Sequence, residues 1–184
     1  MERFAVGGAW VELVQGDITR SDTAAIGNAA NSMLMGGGGV DGAIHRAAGP
    51  GLMEALREKK RELRGGRLPT GGAVLTRGFN LPAKYVIHCA GPIYDREAER
   101  AAELLANCYA DALALCRHHG IDSIAFPSIS TGVYGYPLAE AAPVALAAVR
   151  DALEPEGAPA LCRFVLFDAP TLEAYQNAAL TVFA

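Results

Sequence analysis

At 184 residues the chain has the length of one compact domain, and half of it is apolar, with few aromatics and many alanines and glycines. That mix excludes a disordered or fibrous protein and suits a small-residue-rich α/β domain. The net charge of −4 argues against a general electrostatic hold on long nucleic acid, while leaving room for a local basic pocket.

In chain order, residues 4–6 and 10–14 read as two short strands joined by Gly7-Gly8 in a hairpin at a sheet edge. Residues 24–28 form a third apolar run that breaks into a polar turn. Residues 43–48 are compatible with a helix, and 52–63 form another whose charged outer face is solvated. Strands follow at 73–76 and 85–90. Ala101, Leu104, Leu105, Cys108, Ala112 and Leu115 share one helical face, which predicts an amphipathic helix over 98–119, stopped by Gly120. A strand at 124–127 leads through Pro137 into a helix carrying Leu138, Ala142, Leu146, Val149 and Leu153. A strand at 163–167 and a terminal helix through Leu172, Tyr175 and Ala179 complete the chain.

Strands alternating with helices predict a single α/β domain over residues 1–184, with a mixed, largely parallel sheet between two helical layers. No repeat or linker interrupts it. Such sheets bind ligands beyond the carboxyl ends of their strands.

Several features carry chemistry. Gly36, Gly37, Gly38 and Gly39 each cost conformational entropy on folding. Four in a row before Asp41 and a helix suggest backbone held against an anion such as phosphate. A formal dinucleotide fingerprint (Gly37, Gly39, Gly42) does not follow directly on a strand, and no Lys-Ser/Thr pair marks a P-loop. A second loop, holding Ser130, Thr131, Gly132, Val133 and Tyr134, also lies between a strand and a helix, so a diphosphate could sit between the two. Asp17, beside Gly16, either caps its own turn or accepts a hydrogen bond from an amino group such as that of adenine. His45 lies four residues after Asp41, on the same helical face, and either supports Asp41 or only satisfies its own hydrogen bonds. His88, at the end of a buried strand, reads as structural. Cys89, Cys108, Cys116 and Cys162 are scattered without a Cys-x-x-Cys pair, and three of them lie in apolar runs and read as small core residues, so neither zinc nor disulfides are expected. Asp41, His45 and His88 lack metal-ligand spacing. The first residues carry no apolar signal run and no stretch is long enough to span a bilayer, so a cytoplasmic protein without membrane contact is expected.

Taken together, Gly16 to Thr19, Asn28-Ala-Ala-Asn31-Ser32, Gly36 to Gly49, Leu81 to His88 and Ser130 to Gly135 resemble the macro domain family, in family order and across most of the chain. The similarity is to the MacroD-type branch, whose members remove ADP-ribose from modified proteins and deacetylate O-acetyl-ADP-ribose. The resemblance implies that Asp17 and the Ile18 backbone receive adenine and that Phe167 stacks on it. Asn28 and Asn31 would present the distal ribose, with Asn31 hydrogen-bonding to it. Gly36 to Val40 and Ser130 to Tyr134 would clamp the diphosphate, and Tyr134 would pack on the ribose. Asp41 would position the attacking water, with Asn31 and His45 beside it. No cofactor or metal is implied. The expected partners are ADP-ribose, ADP-ribosylated proteins and O-acetyl-ADP-ribose, met by a monomer with no extended nucleic-acid contact. A reader module that binds ADP-ribose without cleaving it is the alternative. One residue departs from the family pattern: Gly27 stands where a larger apolar residue is usual, which is expected to loosen the presentation of Asn28 and Asn31.

Overall fold

The computed structural model describes all residues from Met1 to Ala184. Seven strands form one sheet: β1 (Glu2–Val6), β2 (Ala9–Gln15), β3 (Ala25–Ala30), β4 (Ala73–Arg77), β5 (Tyr85–Ala90), β6 (Ser123–Phe126) and β7 (Leu161–Leu166). Their order is β1-β2-β7-β6-β3-β5-β4, with the five central strands parallel and β1 and β4 antiparallel at the edges. The Gly7-Gly8 turn closes the first hairpin, with Val6 paired to Ala9 and Gly7 at a φ of 57°.

Six helices cover the sheet: α1 (Gly39–Ala48), α2 (Gly51–Glu62), the single-turn α3 (Tyr94–Glu97), α4 (Ala101–His119), α5 (Leu138–Ala152) and α6 (Ala169–Val182). α1 and α2 lie over one face, with Leu34, Ile44, Leu52 and Leu56 packed on Ile26 and Val86. The other layer, α4, α5 and α6, covers the larger core around Phe126 and Phe164. Each fully buried Leu or Phe contributes roughly 1.5–3 kcal/mol relative to an exposed one, so the sheet's two apolar faces set this architecture.

Two expectations shift. The long helix expected from residue 98 begins at Ala101, because the chain first makes the separate turn α3 and Arg100 takes a non-helical conformation as N-cap. Its buried face runs through Tyr109, Leu113 and Cys116, and Leu115 is only half-buried. Gly120 closes it in the left-handed conformation, at a φ of 65°. The third strand runs on to Ala30, which places Asn28 inside the sheet rather than at its end.

The reading of Gly27 is corrected. A Cβ there would stand 2.5 Å from Cδ1 of Phe126, whose ring occupies the space a side chain would fill. The strand is therefore packed at this point, not loosened.

Candidate active site

β2, β3, β5, β6 and β7 all end at the same edge, and the segments that follow them line a cleft of about 580 Å³. Gly16, Asp17 and Ile18 come after β2, Asn31 after β3, Gly91 after β5, Pro127 to Tyr134 after β6, and Phe167 and Asp168 after β7. Residues 37–41 and Arg46 of α1 close the remaining wall.

Strand alternation explains the polar groups beneath that wall. Ile26, Asn28 and Ala30 point to the α1 side of β3; Val86, His88 and Ala90 do so from β5. Asn28 and His88 are direct neighbours in the parallel register, and Thr76 of β4 lies diagonally across from His88. Asn28 Nδ2 donates to Asp41 Oδ1 at 2.7 Å and lies 3.1 Å from His88 Nδ1. Thr76 Oγ1 donates to the Arg77 carbonyl at 3.1 Å and is 2.9 Å from His88 Nε2. The hydroxyl proton being used, Nε2 carries the ring proton and Nδ1 accepts from Asn28. Burial, with a smaller push from His45, drives the His88 pKa down to about 3, so the ring is neutral at pH 7. Asn28 therefore donates both ways, to the Asp41 carboxylate and to His88, and His88 in turn donates to Thr76.

Asp41 is buried in the first turn of α1, beside the helix N-terminus that favours a negative charge. His45, one turn on, brings Nε2 to 3.3 Å from Asp41 Oδ1 without hydrogen-bond geometry. Gly42 is required where the helix folds back on the loop, since a Cβ there would stand 2.6 Å from the Gly37 carbonyl oxygen. Gly36 and Gly39 take φ values of 79° and 58°, a region open to glycine.

Across the cleft, the 128–134 loop is tied into the opposite layer. Tyr109 of α4 accepts from the Ile129 N–H at 3.1 Å, and Tyr175 of α6 donates to Ser128 Oγ at 3.0 Å. Thr131 Oγ1 bonds the same Ser128 Oγ at 2.8 Å. Ser130 is held at a φ of 67° against Gly91, a conformation that costs a non-glycine residue about 1–3 kcal/mol. The main-chain N–H groups of Gly38, Gly39, Val40, Thr131, Gly132, Val133 and Tyr134 line this space and donate to no other part of the chain. Only three buried side-chain polar atoms in the protein lack a partner: Asn28 Oδ1, His45 Nε2 and Ser130 Oγ. All three surround this one site.

A family model for the macro domain matches residues 27–145. The chain belongs to the macro domain family. It is 49% identical over 168 residues to a macro domain-containing protein of Chlorobaculum tepidum, covering 91% of this chain and 94% of that protein. A protein of Escherichia fergusonii named O-acetyl-ADP-ribose deacetylase is 47% identical over 167 residues, 91% of this chain and 93% of the relative. The solved structure of a glycine-to-valine variant of the Oceanobacillus iheyensis macrodomain with ADPR is similar, with a TM-score of 0.94 and 46% identity. It covers 97% of this chain and 96% of that one.

In this macro domain, Asp17 is an N-cap. Its Oδ1 accepts from Thr19 Oγ1 at 2.7 Å and from the Thr19 N–H at 3.0 Å, and these bonds hold its carboxyl below the usual carboxylate range. The capping reading of Asp17 therefore holds, and the same residue also lines the cleft. Asn31 holds the loop together: Nδ2 donates to the Gly36 carbonyl at 2.9 Å and Oδ1 accepts from the Met35 N–H at 3.3 Å. Phe167 is 85% exposed at the cleft rim, an apolar ring with no packing reason to be there. Of the site residues named from sequence, Asn28, Gly36 and His45 do not line the cleft; Asn28 and His45 approach Asp41 from behind. Sequence reasoning missed His88 and Thr76 as the support of Asn28, and Arg46 as part of the wall. A polar pair on two apolar strands, Asn28 and His88, is the signal that could have found the first two.

Proposed function

We propose that this macro domain binds ADP-ribose and hydrolyses ester-type bonds at its distal ribose. O-acetyl-ADP-ribose and proteins bearing mono-ADP-ribose on acidic side chains are the substrates. One observation carries this reading: a buried carboxylate, Asp41, is locked by Asn28 beside two loops whose main-chain N–H groups are free to receive a diphosphate.

In this reading adenine lies at the β2–β7 end, accepted by Asp17 and the Ile18 backbone and stacked on Phe167. The diphosphate sits between Gly37 to Val40 and Ser130 to Tyr134, held by N–H groups and the α1 N-terminus. The distal ribose rests at the Asn31 and Tyr134 wall, which brings its ester bond to Asp41. Water adds across that bond: its oxygen joins the electrophilic carbon, the ester C–O bond breaks, and the departing oxygen receives a proton. At neutral pH the freed acid ionises and releases one proton. A carboxylate is a weak base toward water, so Asp41 orients the molecule, and a diphosphate oxygen helps carry its proton. His45 and Asn31 position this arrangement.

Two measurements on the same protein test the reading: calorimetric titration with ADP-ribose, and release of acetate or ADP-ribose from the two substrates. Asp41→Ala is expected to bind ADP-ribose and lose turnover, and Asp17→Ala to lose affinity. Full turnover by Asp41→Ala removes the role given to that carboxylate. Binding by the wild type without release would make the chain a reader instead.

A further inference from the structure

A second, more open recess of about 380 Å³ lies on the far side of the Asn31 and Tyr134 wall. Met33, Met35, Ile93 and Arg67 line it, together with those two shared residues. Its place follows from the sheet order. Asp17 and Phe167 follow β2 and β7, and Asn31 follows β3, two strands further across. Ile93 follows β5, and Arg67 precedes β4, beyond β3 in the same direction. Leu68 N–H bonds the Ser32 carbonyl at 2.9 Å, which fixes Arg67 beside the 31–36 loop. A ligand laid from Phe167 to Asn31 would therefore direct whatever its distal ribose carries into this recess.

We propose that the recess is the acceptor subsite for an acidic peptide segment, the part of an ADP-ribosylated protein that flanks the modified side chain. The inference rests on the function proposed above. Charge picks the occupant. Arg67 is exposed and makes no ion pair. It ends a run from Arg57 that holds six cations and two carboxylates, in a chain whose net charge is −4. An acidic segment is repelled by the rest of the surface and attracted here. The exposed Met33 and Met35 supply unbranched, polarizable side chains that adapt to varied apolar neighbours of the modified residue. Of those six cations only Arg67 lines the recess, and one cation amid apolar groups fits a peptide better than the regular phosphates of a nucleic acid, which call for several.

The test uses the full chain and two peptides carrying ADP-ribose at one position through a non-hydrolysable oxime link, one flanked by aspartates and the other by lysines. A 5′-ADP-ribosyl oligonucleotide and free ADP-ribose complete the set. Calorimetry compares wild type with Arg67→Glu. The wild type is expected to bind the aspartate-flanked peptide about fivefold more tightly than the lysine-flanked one, the scale of one exposed charge pair. Arg67→Glu is expected to invert that order while binding free ADP-ribose unchanged. Equal affinity for the two peptides in the wild type, or a preference that survives Arg67→Glu, overturns the assignment. An Arg67-dependent gain with the oligonucleotide alone overturns it in favour of nucleic acid. If free ADP-ribose does not bind, the proposed function falls and the subsite with it; if it binds while the peptides are not distinguished, the subsite alone falls.

Discussion

Asn28 joins the middle of a buried strand to the first turn of a helix, its Nδ2 donating to Asp41 Oδ1 across 2.7 Å. Because the second N–H of the same amide is used on His88, the Asn28 group cannot rotate without breaking both bonds. Asp41 is thereby aimed from below, and its position is set by residues that never meet the cleft.

Replacing Asn28 by Ala should then separate turnover from binding. The expected loss in kcat is on the order of 10²-fold, the cost of small misplacement of a reacting group. ADP-ribose affinity should change far less, since the backbone N–H groups remain. Two buried groups are left short of a partner, so stability should fall by about 1–3 kcal/mol. Parallel measurement of kcat, Kd and a urea melt checks this; an unchanged kcat would mean Asp41 needs no such aim.

The Phe126 ring over Gly27 makes a second prediction. Gly27→Val drives a branched side chain into that ring and should cost about 1–3 kcal/mol, the usual range for overpacking. Phe126→Leu in the same chain should recover part of that loss, giving a coupling energy in a double-mutant cycle. Simply additive costs would show that the ring does not stand in for the missing side chain.

His88 gives stability a dependence on pH. Its pKa is about 3 in the folded protein, lowered by burial, against the ordinary 6.5. The unfolded chain therefore takes up a proton as pH falls below 6.5, while the folded protein does not. This contribution is fully present above pH 6.5 and is lost as pH falls toward 3, at up to about 1.4 kcal/mol per pH unit. Asp17 and Asp168, both held below their ordinary value by bonds from Thr19 and Thr171, weaken the fold only nearer pH 4 and below. Asp111, whose carboxyl burial pushes up, acts in the opposite sense. The histidine is therefore read as the difference between wild type and a His88 variant in urea melts from pH 7 to 5. His88→Gln, which keeps a polar amide but no titrating ring, should flatten the slope; an equal slope in that variant would assign it elsewhere.

All seven strands and the five longer helices were legible in the sequence, because apolar periods of two and of 3.6 residues report directly on buried faces. The short α3 was not, since four residues hold no period. The cleft lining was legible where function rests on backbone: the Gly36 to Gly39 run and the 130–134 loop announce themselves by composition. What escaped was contact across the sheet. Asn28 and His88 are 60 residues apart in the chain and adjacent in register, and only the pairing of β3 with β5 reveals it. Gly27 was misread for the same reason, since the ring that fills its place comes from β6. Asp17 offered two readings from its neighbours, and the Thr19 bonds decide only the capping one.

The two loops that face each other across the cleft belong to different cores. The glycine loop and Asp41 ride on the smaller cluster of 15 buried residues, while Tyr109 and Tyr175 root the 128–134 loop in the larger one of 30. A diphosphate lodged between them would act as a clasp fastening one layer to the other at the open rim of the sheet. Occupancy would thus be felt far from the rim, as slower amide exchange in both layers at once and a melting temperature that climbs with ligand concentration.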